Sequence, residues 1–137
     1  EFITLFSLEL HITKGAITLN YINAGQHPVL MYQHDKLIRL EDSQKLLGVT
    51  KAEYKTTTLE FDASPMRLIL YSDGAFDVFS KAGKHLGHKK FYEWVESSLA
   101  KSPADQLTFL RQKIEAYTGS GEESDDLAII IIETKQS

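Results

Sequence analysis

The chain has 137 residues, with 15 Lys and Arg against 19 Asp and Glu and 42% hydrophobic side chains, a balance that suits a globular domain with a core rather than a disordered segment. A net charge of −4 argues against nucleic acid as the main partner, and the absence of cysteine excludes disulfides and thiolate metal sites. The longest apolar run, 127–132, is too short to span a bilayer and no basic region precedes an apolar stretch at the start, so no membrane contact is expected of this segment.

Phe2, Phe6, Leu8, Leu10 and Ile12 are apolar at even positions, and Ser7, Glu9, His11 and Thr13 alternate with them as polar, the period of a strand with one buried face. Lys14-Gly15 supplies a turn, and Ile17, Leu19 and Tyr21 repeat the alternation, so the two segments read as a hairpin. The pattern is already running at Phe2 and no methionine stands at Glu1, which reads as a cut through a larger domain. Asn23-Ala24-Gly25 breaks the second strand. Segments 29–32 and 37–40 predict another hairpin around 33–36, and 46–49 predicts a loop that tucks apolar residues under the sheet. Thr57, Leu59 and Phe61 alternate again, and the almost continuously apolar run 66–71 predicts a strand covered on both faces.

Phe91, Trp94, Val95 and Leu99 then switch to helical spacing, with the basic doublet Lys89-Lys90 as a solvated helix start. A second helix is signalled by Ser102 as cap, Pro103 at the first position and Asp105 completing S-x-x-D, with Leu107, Leu110, Ile114 and Tyr117 as its inner face and Gly119 as its stop. A loop of Gly, Ser and Glu leads to a last buried strand at 127–132. Strands, then helices, then a strand, with no alternating βα repeat, predict an α+β fold of mostly antiparallel sheets with helices packed on a face.

Two acidic positions stand out against this frame. Asp73-Gly74 follows the strand 66–71, and Asp125-Asp126 precedes the strand 127–132. If these strands are antiparallel neighbours, their carboxylates meet at one sheet edge. Clustered carboxylates repel unless a cation neutralises them, and an all-oxygen site suits Mg²⁺ or Mn²⁺. Gly74 would let the backbone turn sharply beside Asp73. The competing reading is plain: Asp-Gly is a common turn dipeptide, and an Asp before a strand is an ordinary loop residue.

The order of motifs separates the two. Asn23-Ala24-Gly25-Gln26-His27-Pro28-Val29-Leu30 resembles the NAGHxPxL stretch of SpoIIE-type phosphatases, and Leu47-Gly48-Val49 resembles their LGV segment. Leu68-Ile69-Leu70-Tyr71-Ser72-Asp73-Gly74 resembles their LLLYTDG motif, Leu86-Gly87 a phenylalanine-glycine pair ahead of the first helix, and Ser124-Asp125-Asp126-Leu127-Ala128 their terminal DD-x-T. The resemblance runs from about Phe2 to Glu133 with every motif in order. It implies the PPM superfamily architecture, a β-sandwich of two mostly antiparallel sheets flanked by helices in α/β/β/α layers, and a pair of Mn²⁺ or Mg²⁺ ions held by aspartates. Carried over by motif, Asp73 and Asp125 are metal ligands, Asp126 stands beside them as a second or alternative ligand, and the Gly74 carbonyl and Asp77 are further candidates. It also implies hydrolysis of a phosphoserine or phosphothreonine ester by a metal-activated water, with no side-chain nucleophile. The implied partners are a signalling phosphoprotein, such as a STAS-type anti-sigma-factor antagonist, and an upstream sensor or receiver domain, in the bacterial cytoplasm.

Departures from that pattern set further expectations. The family's first acidic motifs lie upstream of the residues given, so the 137-residue chain alone is expected to be inactive and to bind metal weakly. Gln26 replaces the histidine of NAGH, with His27 displaced by one position; Ser64-Pro65-Met66 replaces a proline-glycine-aspartate turn; and Phe76-Asp77-Val78 stands where threonine-glutamate-alanine is usual. His85 and His88 have a metal-compatible spacing but no third ligand, and read as solvated loop residues. Gly119-Ser120-Gly121 lacks the lysine of a phosphate loop, the acids 122–126 lack calcium-loop spacing, and Ser7, Ser72 and Ser124 have no triad histidine. Two other classes stay open: a degenerate, non-catalytic module that binds a phosphoprotein or its kinase, and a fragment that self-associates as a homodimer.

Overall fold

The structure is a computed structural model that describes residues 3–119 and 126–135. Its contacts divide the chain into two compact units, Glu1–Arg67 with Thr134–Ser137 and Leu68–Glu133.

In the first unit, β1 (Leu5–Ile12) and β2 (Ala16–Ala24) form the hairpin the alternation predicts. β6 (Thr57–Asp62) pairs antiparallel with the first part of β2, and the two-residue β5 (Ser43–Gln44) pairs parallel with its end. Registers Leu10↔Leu19↔Leu59 and Ile12↔Ile17↔Phe61 align three apolar sets on one face. Phe6 stacks on Tyr21 with ring centroids 5.5 Å apart. β3 (Val29–Gln33) and β4 (Lys36–Leu40) form the second hairpin. Its two-residue turn is His34-Asp35, both at positive φ (50° and 56°), a conformation that Asp and His tolerate better than most residues.

The NAGQ segment has a structural role. Asn23 is fully buried and its side chain closes the turn: Oδ1 accepts from the Gln26 amide (2.8 Å) and Nδ2 donates to the Gln26 carbonyl (3.0 Å). Gly25 sits at φ 75° beneath Leu46. The loop at 46–49 departs from expectation: Leu46 and Leu47 are half-buried, but Val49 is 58% exposed.

In the second unit, β7 (Arg67–Tyr71) is buried along nearly its whole length, as its apolar run predicts. β8 (Ile129–Glu133) is its neighbour, and hydrogen bonds from Ser72 to Ala128 and from Thr134 to Met66 fix the pair as antiparallel. β8 is less buried than its composition suggested. Ile130 is 56% exposed, and the other three isoleucines of the strand are only half-buried.

α1 (Gly87–Ser97) buries Phe91 and Val95, and α2 (Pro103–Thr118) starts at the expected cap, with the Asp105 amide donating to Ser102 Oγ. The inner face of α2 is shifted from the expected one: Gln106, Leu110 and Ile114 are buried, while Leu107 is exposed and Tyr117 only half-buried. Gln106 tolerates burial because its amide donates to Val95 O (3.3 Å) on α1 and to Oγ of Ser98 (3.1 Å), which caps the end of that helix. The fold class is α+β, with two mostly antiparallel sheets and two helices.

Two predictions follow from the first unit. Alanine at Gly25 would place Cβ 1.9 Å from Leu46 Cδ2 at a left-handed backbone position. Gly25→Ala should therefore destabilise the domain by about 1–2 kcal/mol, read as a lowered denaturant midpoint, whereas Gly15→Ala, with open space around it, should be nearly neutral. Asp62 is held at about 2, below the ordinary 3.8, by hydrogen bonds from Ser64 and by His34, whose Nε2 lies 2.6 Å from Asp62 Oδ2. Because the folded value is the lower one, this pair supports the fold above about pH 4, and the support is lost as pH falls towards 2. Thermal melts should show the wild type losing its advantage over Asp62→Asn across that interval; an undiminished difference at pH 2 would refute the assignment.

Candidate metal centre

Asp73 opens a single 3-10 turn (Asp73–Ala75) at the end of β7. The Asp73 carbonyl accepts from the Phe76 amide (3.0 Å) and the Asp77 amide (2.7 Å), and Asp73 Oδ1 accepts from the Gly74 amide (2.9 Å). This turn places Asp73 and Asp77 one turn apart on the same side. Gly74 does not have the positive φ a sharp reversal would need; it is buried in the turn, so what it contributes there is small size.

Asp126 reaches the same place from the other strand. It has φ 51°, and its carbonyl accepts a 2.6 Å hydrogen bond from Ser72 Oγ. Ser72 Oγ in turn accepts from the Ala128 amide (2.9 Å), and the Ser72 amide donates to the Ala128 carbonyl (2.9 Å). Ser72 thus ties the end of β7 to the residues leading into β8, 54 positions later in the sequence. Asp73, Gly74, Asp77, Val78 and Asp126 line one open cleft of about 270 Å³. Asp125 lies outside the described residues, as do Ser120, Gly121, Glu122, Glu123 and Ser124.

Asp77 in the cleft wall makes a pairing that the sequence does not signal. His85 Nε2 lies 2.8 Å from Asp77 Oδ1, so His85 is engaged with the cleft rather than solvated alone. His88 is in α1, not in a loop, and its ring stacks on Phe76 at 3.7 Å directly behind the 3-10 turn. Neither Ser72 nor His85 was singled out for a role. The signal available for Ser72 was its place between a buried strand and Asp73. His85 gave none, since the hairpin that returns it to Asp77 is visible only in three dimensions.

Among the described residues no three His, Cys, Asp or Glu side chains are grouped closely enough to hold a metal ion. The donors that line the cleft are all carboxylate oxygens, the kind a hard divalent cation takes, and Mg²⁺ commonly binds through one or two carboxylates with water completing its shell. The donor set therefore fits Mg²⁺ or Mn²⁺ in kind, with Asp73 and Asp126 facing the cleft and Asp77 drawn towards His85.

The fold resembles solved phosphatase domains. The chain superposes on the SiaA-PP2C domain of Pseudomonas aeruginosa with a TM-score of 0.70 and 15% identity, covering 88% of this chain and 51% of that one. For the phosphatase domain of the cell fate determinant SpoIIE from Bacillus subtilis, a Mn-presoaked crystal, the values are 0.65 and 15%, over 98% and 57%. For the Mycobacterium tuberculosis serine/threonine phosphatase PstP/Ppp they are 0.60 and 12%, over 95% and 58%. At these identities the likeness shows the fold, and the chain spans little more than half the length of each of these structures. A search of curated proteins found no match. The family model for Stage II sporulation protein E covers residues 1–135. Together with the shared fold, that match shows that the chain belongs to the SpoIIE family of PP2C-type serine/threonine phosphatases.

Proposed function

We propose that the protein containing this chain hydrolyses phosphoserine or phosphothreonine on a signalling protein, such as a STAS-type anti-sigma-factor antagonist, with Mn²⁺ or Mg²⁺ held in the Asp73 cleft. The observation that supports this most is the convergence of Asp73 and Asp126 on one cleft through Ser72. In this reading Asp73 and Asp125 hold the cation, with Asp126 beside them. When bound, the cation supplies Lewis acidity towards phosphoryl oxygens and activation of water. Water adds to phosphorus, the ester P–O bond breaks, and the serine or threonine oxygen leaves as the alcohol. The chain has no cysteine to form a thiophosphate, and Ser72 Oγ is occupied at both its donor and acceptor positions by backbone groups, which makes it a brace rather than a nucleophile. Asp77, paired with His85, shapes the cleft wall.

A second reading, a module that binds a phosphoprotein without turnover, draws on the lack of a three-acid group among the described residues. The two are separated by Mn²⁺-dependent hydrolysis of p-nitrophenyl phosphate by the full-length protein. Asp73→Asn and Asp125→Asn should each lower turnover by about 100-fold or more, and Ser72→Ala by about tenfold through loss of alignment. A well-folded full-length protein that stays inert across a range of Mn²⁺ and Mg²⁺ concentrations would favour the binding module.

A further inference from the structure

Between Asp77 and Glu93 the sequence carries Lys81, Lys84, Lys89 and Lys90, two histidines and no acid, in a chain whose net charge is −4. The structure sets this basic island directly beside the acidic cleft. Its first part is a hairpin closed by the Phe79↔His85 bridge, with the Ser80 amide donating to Lys84 O (2.9 Å), the Gly83 amide to Ser80 O (2.8 Å) and the Lys84 amide to Ser80 Oγ (3.1 Å). Both ends of the hairpin are fixed to the cleft wall: the Leu86 amide donates to Val78 O (2.9 Å), and His85 bonds Asp77. Its far side is held by α2, where Tyr117 Oη donates to Lys84 O (3.0 Å) and His85 O (3.3 Å). The hairpin is thus braced on both sides, and little ordering is left to be done when a ligand meets it.

On this braced hairpin Phe79 is 57% exposed and Lys84 is exposed with it, and Lys89 and Lys90 are exposed in the first turn of α1 that follows. None of the residues lining the cleft is basic. Apart from a bound cation, the protein's positive charge nearest the cleft is therefore that of the island. We infer that the hairpin 79–85, together with the first turn of α1, docks an acidic stretch flanking the phosphorylated residue of a protein substrate, with Phe79 as its apolar anchor. A protein segment is favoured over nucleic acid as the occupant because the phosphatase reading brings a phosphoserine or phosphothreonine, with its flanking residues, to the cleft. The proposal rests on the phosphatase reading and narrows its substrate class to acidic phosphoprotein segments.

The test uses the full-length protein with a Lys84→Glu/Lys90→Glu double variant and, separately, Phe79→Ser; Lys81 is left in place because its side chain packs over Gly119. The probes are a casein-type phosphoserine peptide with Glu and Asp flanks, the same peptide with Gln and Asn flanks, and p-nitrophenyl phosphate. The ratio of kcat/KM for the acidic peptide to that for p-nitrophenyl phosphate should fall about tenfold in the double variant, mostly through KM, and the neutral-flanked peptide should lose far less. Phe79→Ser should lower the same ratio for both peptides. A ratio that stays at the wild-type value, or equal losses on both peptides in the double variant, overturns the proposal. If the wild type hydrolyses none of the three probes, the phosphatase reading fails, and fluorescence anisotropy of the acidic peptide then decides the docking surface by itself. Weaker binding by the double variant supports it, and unchanged or absent binding overturns it.

Discussion

The candidate site depends on one side chain that is not among those lining the cleft. Ser72 stands where β7 ends, and its hydroxyl and amide make three hydrogen bonds to residues 126–128. The bond from the Ser72 amide to the Ala128 carbonyl is ordinary strand pairing, and the Ala128 amide donates to Oγ. The bond from Oγ to the Asp126 carbonyl holds a residue in the left-handed region, which Asp tolerates better than most side chains. Asp73 is the next residue after Ser72, so the same brace sets the position of one carboxylate and the approach of the other. Behind it, Tyr71 is buried against Phe76 and Phe91, and its hydroxyl lies 3.0 Å from that of Tyr92 on α1. The helix therefore supports the strand end from which the site projects, and packing in the core is converted into alignment at the rim.

The second organising feature is the separation of charge along a short stretch of chain. Acids face the cleft, and the segment that follows Asp77 is basic until Glu93. Asp77–His85 is the seam between the two, and both partners are about half-exposed, so the bond is worth little as a stabilising interaction in water. Its value lies in geometry. It directs one carboxylate of the cleft towards the hairpin, while Asp73 and Asp126 line the same cleft from the ends of two neighbouring strands.

Much of this could be read from residue order, and what could not has identifiable causes. Period-two alternation in 6–12 and 17–21 was enough for β1 and β2, because one buried face leaves a strong signal. The β7 run and the Ser102-Pro103-Asp105 cap were equally direct. The inner face of α2 was misplaced because Gln106 was counted as polar and Leu107 as core; hydrogen bonds to α1, which no periodicity encodes, reverse that assignment. The last strand was read as buried because four consecutive isoleucines carry no alternation, so composition could not reveal that Ile130 is exposed. The approach of Asp73 to Asp126 was legible because each adjoins a strand that the other's strand must pair with. Ser72 and His85 were not, since a serine beside an Asp-Gly and a histidine in a glycine-containing loop look the same whether or not they are used.

The exposure of the cleft bears on how function and stability are partitioned. Asp73, Asp77 and Asp126 are all exposed, so the repulsion among their carboxylates is screened by water rather than concentrated in a dry interior. Two like charges 4 Å apart in water cost about 1 kcal/mol, against several times that in a buried site. A domain of ordinary stability can carry such a cluster without a cation to neutralise it. The acids thus cost folding little, while the side chains behind them, Tyr71, Phe76, Phe91 and Ala75, are the buried ones on which the packing of the unit rests. Substitution at the carboxylates should therefore report on the reaction and not on the fold.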